Sequence, residues 1–162
     1  MKRITDESVS AIYRVDEGTR LARPLYLSQV PAGFPSPADD YIEDRIDLNR
    51  DLILHPHYTY YARISGDSMI NEHLYDGSIV AFDRALEAHD GDIVIASINH
   101  SDLCCKIYHE NDEGIRLEPA NPEHPPILIT EEMELRVIGL VTFSVHWHAK
   151  RYGRRFHLGR LQ

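Results

Sequence analysis

The pattern of apolar and polar positions changes near residue 57. From Tyr58 onward, short runs rich in β-branched and aromatic residues are separated by turns containing Gly, Asn and Pro, which is typical of strands joined by tight connections. These runs predict seven strands: Tyr58–Ile64, Ser78–Asp83, Asp92–Ile98, Leu103–His109, Ile115–Glu118, Ile127–Thr130 and Leu135–His146. Strands of this length and spacing indicate a compact, mostly antiparallel β domain.

The first 38 residues lack a sustained period and contain four prolines within residues 24–37. Because a proline drives the preceding residue toward extended geometry, this segment is predicted to be an extended arm. Upstream of the prolines, Thr5 could cap a short helix. The helix would carry Val9, Ile12 and Tyr13 on one face.

Residues 39–56 are predicted to be helical. Ile42 and Ile46 are four residues apart, which matches the period of a helix face. Asp47 is a suitable cap for a second short helix, and Pro56 would end it. The N-terminal third of the chain is therefore expected to contain an arm and short helices rather than sheet.

Composition narrows the class of protein. The chain has 162 residues, 43% of them apolar and 27% charged, which fits one globular domain rather than a disordered chain. Its longest apolar stretch, 137–145, is much shorter than the roughly 20 residues of a membrane-spanning helix. The N-terminus lacks the apolar region of a secretory signal. Because Cys104 and Cys105 are adjacent and cannot link distant loops, we expect a cytoplasmic protein without a disulfide framework.

Charge is distributed unevenly along the chain. The formal net charge is −9, which is unfavourable for non-specific nucleic-acid binding. Residues 150–162 nevertheless carry five basic and no acidic side chains. We interpret this basic tail as a solvated chain end in preference to a phosphate-binding or partner-binding segment.

Histidine pairs raise the question of a metal site. The pairs are His55 with His57, His100 with His109, and His146 with His148. Metal sites need three or four ligands, and the spacing supplies no third ligand for any pair. The sequence therefore predicts neither a metal site nor a cofactor.

Two residue types that can perform nucleophilic catalysis occur in the β region. Ser68 lies in the turn Ser65-Gly66-Asp67-Ser68-Met69-Ile70, where backbone amides can converge on a reacting oxygen. Lys106 lies in an otherwise apolar strand, on the face shared with Cys104 and Tyr108. A strand lysine is usually solvent-exposed; if it is desolvated instead, the neutral amine becomes favoured and can act as a general base. A Ser-Lys pair is an alternative to the Ser-His-Asp triad.

Five motifs carry a resemblance to a known family. They closely resemble the LexA/UmuD family of self-cleaving Ser-Lys peptidases, its UmuD branch in particular, over about residues 24–149. The motifs are Gly33-Phe34-Pro35-Ser36-Pro37-Ala38, Tyr41-Ile42-Glu43 with Arg45-Ile46-Asp47-Leu48-Asn49, His55-Pro56, Ser65-Gly66-Asp67-Ser68-Met69-Ile70 and Gly91-Asp92-Ile93-Val94-Ile95-Ala96. The resemblance implies a mainly β, highly curved antiparallel domain of the LexA/UmuD C-terminal type, with short helices and an N-terminal extended arm.

The resemblance also implies roles for individual residues. Ser68 falls on the nucleophile and Lys106 on the general base. Ala32 and Gly33 fall on the self-cleaved bond, and the amides of Asp67 and Ser68 on the oxyanion donors. The implied organisation is an arm (1–32) removed by self-cleavage, a Ser-Lys peptidase-like domain (33–149) and a basic tail (150–162).

The function implied by the resemblance is that of a self-cleaving protein of the SOS response to DNA damage. A RecA–single-stranded DNA filament would stimulate cleavage, and the truncated homodimer would act with a Y-family, UmuC-like polymerase subunit in translesion synthesis. No direct sequence-specific DNA binding and no membrane association are expected. Two alternatives remain open: a LexA-like transcriptional regulator, which would need a helix-turn-helix before Gly33, and a catalytically idle dimeric interaction module.

Overall fold

A computed structural model describes residues 8–14, 23–26, 42–101 and 103–148. The chain divides into two compact units. The first combines Met1–Val15 with His57–Gln162, and the second is Asp16–Pro56. The predicted arm is therefore divided between the two units.

The first unit is built on one sheet of eight strands in which every neighbouring pair is antiparallel. The order across the sheet is β1-β4-β5-β10-β6-β7-β8-β9. The strands are β1 Val9–Arg14, β4 Thr59–Ile64, β5 Ile79–Asp83, β6 Ile93–Ile98, β7 Cys104–Asn111, β8 Gly114–Glu118, β9 Ile127–Leu128 and β10 Leu135–Val145.

The predicted mainly β fold class is confirmed. All seven strands predicted after residue 57 are present, with ends that differ by at most two residues from the prediction. The turn between β7 and β8 has the expected chemistry: Gly114, which begins β8, has a φ of 122°, a backbone conformation that residues other than glycine rarely adopt.

The helix predicted around Val9, Ile12 and Tyr13 is wrong, because this segment is strand β1, paired with β4. A β-bulge shifts the register between Val9 and Ala11. Since a bulge inserts one extra residue, Val9 and Ile12 can both pack against the same core cluster although they are three residues apart. The bulge thus reproduces the spacing of a helix face.

The second unit contains a two-stranded sheet and one helical turn. Strand β2 (Arg23–Tyr26) pairs antiparallel with β3 (Ile42–Ile46), so the helix predicted over residues 39–56 is wrong at 42–46. The helical turn that follows ends at Asp51 rather than at Pro56. Apolar residues four apart fit the alternation of a regular strand as well as a helix face, so this spacing alone does not decide between the two. The predicted cap is confirmed: Asp47 accepts a hydrogen bond from the Asn49 amide at the start of α1 (Leu48–Asp51).

Strand β7 separates two buried clusters in the first unit, and its side chains alternate between them. Cys105 belongs to one cluster, whereas Cys104 and Tyr108 belong to the other, as predicted from strand alternation. The first cluster contains Ala62, Ile64, Met69, Leu74, Val80, Phe82, Ile95, Cys105 and Ala120, and the second Val94, Ala96, Ile98, Cys104, Tyr108 and Leu117.

Candidate active site

Lys106 lies on an interior strand of the sheet. Its strand, β7, is paired on one side with β6, where Val94 is its register partner, and on the other side with β8. Only 1% of the Lys106 surface is exposed, so the solvent-facing interpretation of this lysine is wrong. The sheet therefore shields the Lys106 amine from water.

Ser68 lies in the turn that follows β4. Gly66 begins the turn with a φ of 78°, and its amide donates a hydrogen bond to Asp76 Oδ1 at 3.1 Å. The Ile70 amide donates to the Asp67 carbonyl at 3.1 Å, and a short 3₁₀ helix, Ile70–Glu72, follows. These contacts close the chain around Ser68, of which only 4% is exposed.

The two predicted catalytic side chains are brought together. Lys106 Nζ lies 2.9 Å from Ser68 Oγ, within hydrogen-bond distance, although 38 residues separate them in the chain. Nζ also donates to the Cys105 carbonyl at 3.2 Å, which holds the amine close to its own strand. A neutral amine at this distance can accept the serine proton directly.

A third residue, Ser8, contacts the segments that carry the two side chains. Ser8 Oγ accepts a hydrogen bond from the Cys105 amide at 2.7 Å, and the Ser8 carbonyl accepts one from the Ser65 amide at 2.7 Å. Ser8 is 1% exposed. Sequence reasoning missed it, because a serine before a strand has no distinguishing pattern.

A second neighbour that the sequence did not reveal is the segment 120–124, which we call the 120–124 bridge. It contacts the Ser68 turn at three points. The Ala120 carbonyl accepts from the Asn71 amide at 2.9 Å, Asn121 Nδ2 donates to the Asp67 carbonyl at 3.2 Å, and His124 Nε2 lies 2.7 Å from Asp67 Oδ1. In the sequence, Asn121-Pro122 indicated only a turn.

Of the remaining predicted site groups, the amides of Asp67 and Ser68 lie within the described residues, whereas the predicted cleavage site does not. Among the described residues, no backbone hydrogen bond is donated by the amides of Asp67 and Ser68. Ala32 and Gly33 lie outside the described residues, and so does the basic tail.

The histidine pairs have local partners. His109 Nδ1 lies 3.0 Å from Asp90 Oδ1, and the rings of His146 and His148 are 4.7 Å apart between centroids. Across the described ranges, no group of three or more His, Cys, Asp or Glu side chains is arranged to hold a metal ion.

Three described ionisable groups, Asp90, Tyr108 and Tyr61, have shifted pKa values. Hydrogen bonds from the Glu110 amide and from His109 hold the pKa of the Asp90 carboxyl below its usual range. Burial raises the pKa of Tyr108, and its hydrogen bond to Glu110 adds to the shift. Burial also raises the pKa of Tyr61.

Comparison with known proteins identifies the family to which the chain belongs. Residues 24–142 match the profile described as Peptidase S24-like. The chain belongs to this family. Its membership confirms the predicted LexA/UmuD relationship and makes the protein one of the serine peptidase kind.

Named relatives of this S24-like chain cover most of its length. It is 36% identical to Protein SamA of Salmonella typhimurium over 80% of the chain and 89% of that protein. It is also 36% identical to Protein MucA of Escherichia coli over 77% of the chain and 85% of that protein. The LexA repressor of Stenotrophomonas maltophilia is 34% identical over 70% of this chain, but only 53% of the repressor is covered.

The lengths of the described helices bear on the prediction that the chain does not span a membrane. Within the described parts of the chain, no helix is long and apolar enough to cross a membrane. The longest described α-helix, α1, has four residues.

Proposed function

We propose that this S24-like protein is an autoprotease that cuts its own Ala32–Gly33 bond with Ser68 and Lys106. One observation carries the proposal: in a chain of this peptidase family, a buried lysine amine lies 2.9 Å from a buried serine hydroxyl. The resemblance of the Ala32-Gly33-Phe34 region to the family's cleavage site supports the choice of bond.

The proposed reaction begins with proton transfer from Ser68 Oγ to the neutral amine of Lys106. Oγ attacks the Ala32 carbonyl carbon, and the negative charge that develops on the carbonyl oxygen is stabilised by the amides of Asp67 and Ser68. The Ala32–Gly33 bond then breaks, and the Lys106 ammonium returns its proton to the leaving Gly33 amine. Water hydrolyses the Ser68 ester, which gives an Ala32 carboxylate and regenerates the hydroxyl.

Small residues suit the proposed bond. Ala32 and Gly33 carry the least side-chain volume in their segment, so the scissile carbonyl can approach a nucleophile that is only 4% exposed. Substrate and enzyme are the same polypeptide or two copies of it. The resulting high effective concentration compensates for a modest nucleophile.

The biological setting that we propose is the SOS response. A RecA–single-stranded DNA filament would stimulate cleavage in the cytoplasm. The truncated protein, as a homodimer, would then act as the accessory subunit of a Y-family, UmuC-like polymerase in error-prone translesion synthesis. The likeness to the LexA/UmuD family over most of the chain supports this setting.

The experiment measures the intact mass of the purified full-length chain with and without a RecA filament assembled on single-stranded DNA. We expect the filament to accelerate the appearance of a fragment that begins at Gly33. Ser68→Ala is the matched control, because it removes one oxygen atom and should prevent cleavage under both conditions.

A companion experiment tests the polymerase role. The full-length Ser68→Ala chain and the cleaved parent are each mixed with a Y-family polymerase, and complexes are separated by size-exclusion chromatography with light scattering. We expect a complex with a dimer of the cleaved form. Cleavage without any such complex would instead favour a regulator, and a chain that is never cleaved would favour an idle interaction module.

A further inference from the structure

The 120–124 bridge touches the peptide unit that carries one proposed oxyanion donor. The Asp67 carbonyl and the Ser68 N–H belong to the same peptide, which is trans. In a trans peptide the carbonyl and the following N–H point in opposite directions. Whatever fixes the Asp67 carbonyl therefore also fixes the direction of the Ser68 N–H.

Two donors fix that carbonyl. The Ile70 amide donates to it from within the turn at 3.1 Å, and Asn121 Nδ2 donates to it from the bridge at 3.2 Å. Asn121 is only 8% exposed, so water has little access to its side-chain amide. Of the two donors, only Asn121 comes from outside the turn.

The orientation of the Asn121 side chain is itself determined. Its Oδ1 accepts a hydrogen bond from the Glu123 amide at 3.0 Å, which leaves Nδ2 facing the Asp67 carbonyl. The His124 amide donates to the Asn121 carbonyl at 3.1 Å and closes the turn. The bridge is thus a preorganised loop that presents one donor.

We propose that Asn121 is a positioning residue for the oxyanion site: by holding the Asp67 carbonyl, it aims the Ser68 N–H at the developing negative charge. This proposal rests on the proposed Ser68 chemistry. Removing a direct oxyanion donor typically costs about 10²–10³ in rate. Asn121 acts through one such donor that Ile70 also restrains, so its loss should cost roughly tenfold.

The chain offers a closely matched control residue. Asn111 Oδ1 accepts from the Glu113 amide at 2.9 Å, which is the same turn contact that Asn121 makes with Glu123. Asn111 lies at the end of β7, in the hairpin to β8. Asn121→Asp and Asn111→Asp both keep the turn acceptor, but only Asn121→Asp removes a donor from the Asp67 carbonyl.

The test uses the full-length chain with three readouts: self-cleavage by intact mass, labelling of Ser68 by a fluorophosphonate, and thermal melting. In the labelling, Ser68 Oγ displaces fluoride from phosphorus and the phosphoryl oxygen occupies the oxyanion site. We expect Asn121→Asp and the uncharged Asn121→Ala to slow both reactions about tenfold, while Asn111→Asp leaves them at the parent rate.

A second reaction separates positioning of the oxyanion site from a general loss of structure. In a Ser68→Cys chain, iodoacetamide alkylates the thiol at residue 68 without forming an oxyanion. We expect Asn121→Ala to change that alkylation rate less than about twofold, since only the oxyanion site is affected.

Two results would overturn the proposal. One is a folded Asn121→Ala chain that is cleaved and labelled at the parent rate. The other is a parallel fall in cleavage, labelling and alkylation, which would make Asn121 a structural residue of the turn. If the parent labels at Ser68 but never cuts residue 32 from 33, the proposed function fails, and the labelling rates alone decide the role of Asn121.

Discussion

The Ser68 turn and the Lys106 strand are held in place by different physical means. Lys106 is buried by strands on both sides and by apolar side chains, so its position follows from the sheet. Ser68 lies in a turn that is held in place by hydrogen bonds with Asp76 and with the 120–124 bridge. The position of Lys106 therefore depends on the packing of the sheet, whereas that of Ser68 depends on a polar network that must keep its geometry.

The comparison is tested most strongly by replacing Lys106 with Met, which has similar length and no amine. We expect self-cleavage to fall at least ~10³-fold, because the base is lost. We expect the melting temperature to change little, because the cost of burying an amine is removed while the buried Ser68 hydroxyl loses a hydrogen-bond partner. Intact mass and calorimetry measure both quantities. A Lys106→Met chain that still cleaves would remove Lys106 from the mechanism.

The polar network is tested next through Ser8. Ser8→Ala removes the hydroxyl that accepts a hydrogen bond from the buried Cys105 amide and should lower the free energy of unfolding by about 1–3 kcal/mol. Ser78→Ala is the matched control, because Ser78 is also buried and its Oγ accepts from the Tyr75 amide. Urea denaturation should find similar losses in both. Cleavage below the melting range should be slower only in Ser8→Ala, and equal rates would contradict a role for Ser8 near Lys106.

Backbone strain in the Ser68 turn gives a smaller effect. Gly66 has a φ of 78° and nothing within 4 Å of the position where a Cβ would lie, so Gly66→Ala adds strain without a clash. The expected loss of stability is about 1–2 kcal/mol. Gly91→Ala, just before β6, is the control, because Gly91 has a φ of 90° and nothing within 4 Å of its Cβ position. Only Gly66→Ala should also slow cleavage; an unaffected rate would mean that the turn tolerates a shift at its start.

The smallest expected effect lies at the exposed pair of Asp90 and His109. The folded-state pKa of Asp90 is lowered, so its contribution to stability is present above the unfolded pKa of about 3.9 and is lost as pH falls through the folded value. Asp90→Asn should therefore lower the urea midpoint slightly near neutral pH and not at all at strongly acidic pH. Asp112→Asn, at the β7–β8 turn, is the control. A difference that grows toward acid would have the wrong sign.

Sequence reasoning succeeded where one local pattern decides the structure. The strands from β4 to β10 follow from β-branched runs and turn residues, and Asp47 caps α1 as its position predicted. It failed where two structures share one spacing. A bulge in β1 gives Val9 and Ile12 the spacing of a helix, and Ile42 and Ile46 fit a strand as well as a helix.

For the site, the sequence identified the two side chains that could react but not the residues around them. Ser68 and Lys106 were predicted as a pair through a resemblance in motif and order. Ser8 contacts Cys105, the neighbour of Lys106, from 97 residues away, and Asn121 contacts Asp67, the neighbour of Ser68, from 54 residues away. Contacts at such separations depend on strand order and register, which no local pattern encodes.

The most direct test of the central claim, that Ser68 and Lys106 cut the Ala32–Gly33 bond, is the intact mass of the full-length chain incubated without any partner. The incubation is repeated at neutral pH and near pH ~10, because alkaline pH favours the neutral form of an amine. We predict a product that begins at Gly33, formed faster at the higher pH and absent from Ser68→Ala and Lys106→Met. An unchanged mass under every condition, or the same product from Lys106→Met, would contradict the claim.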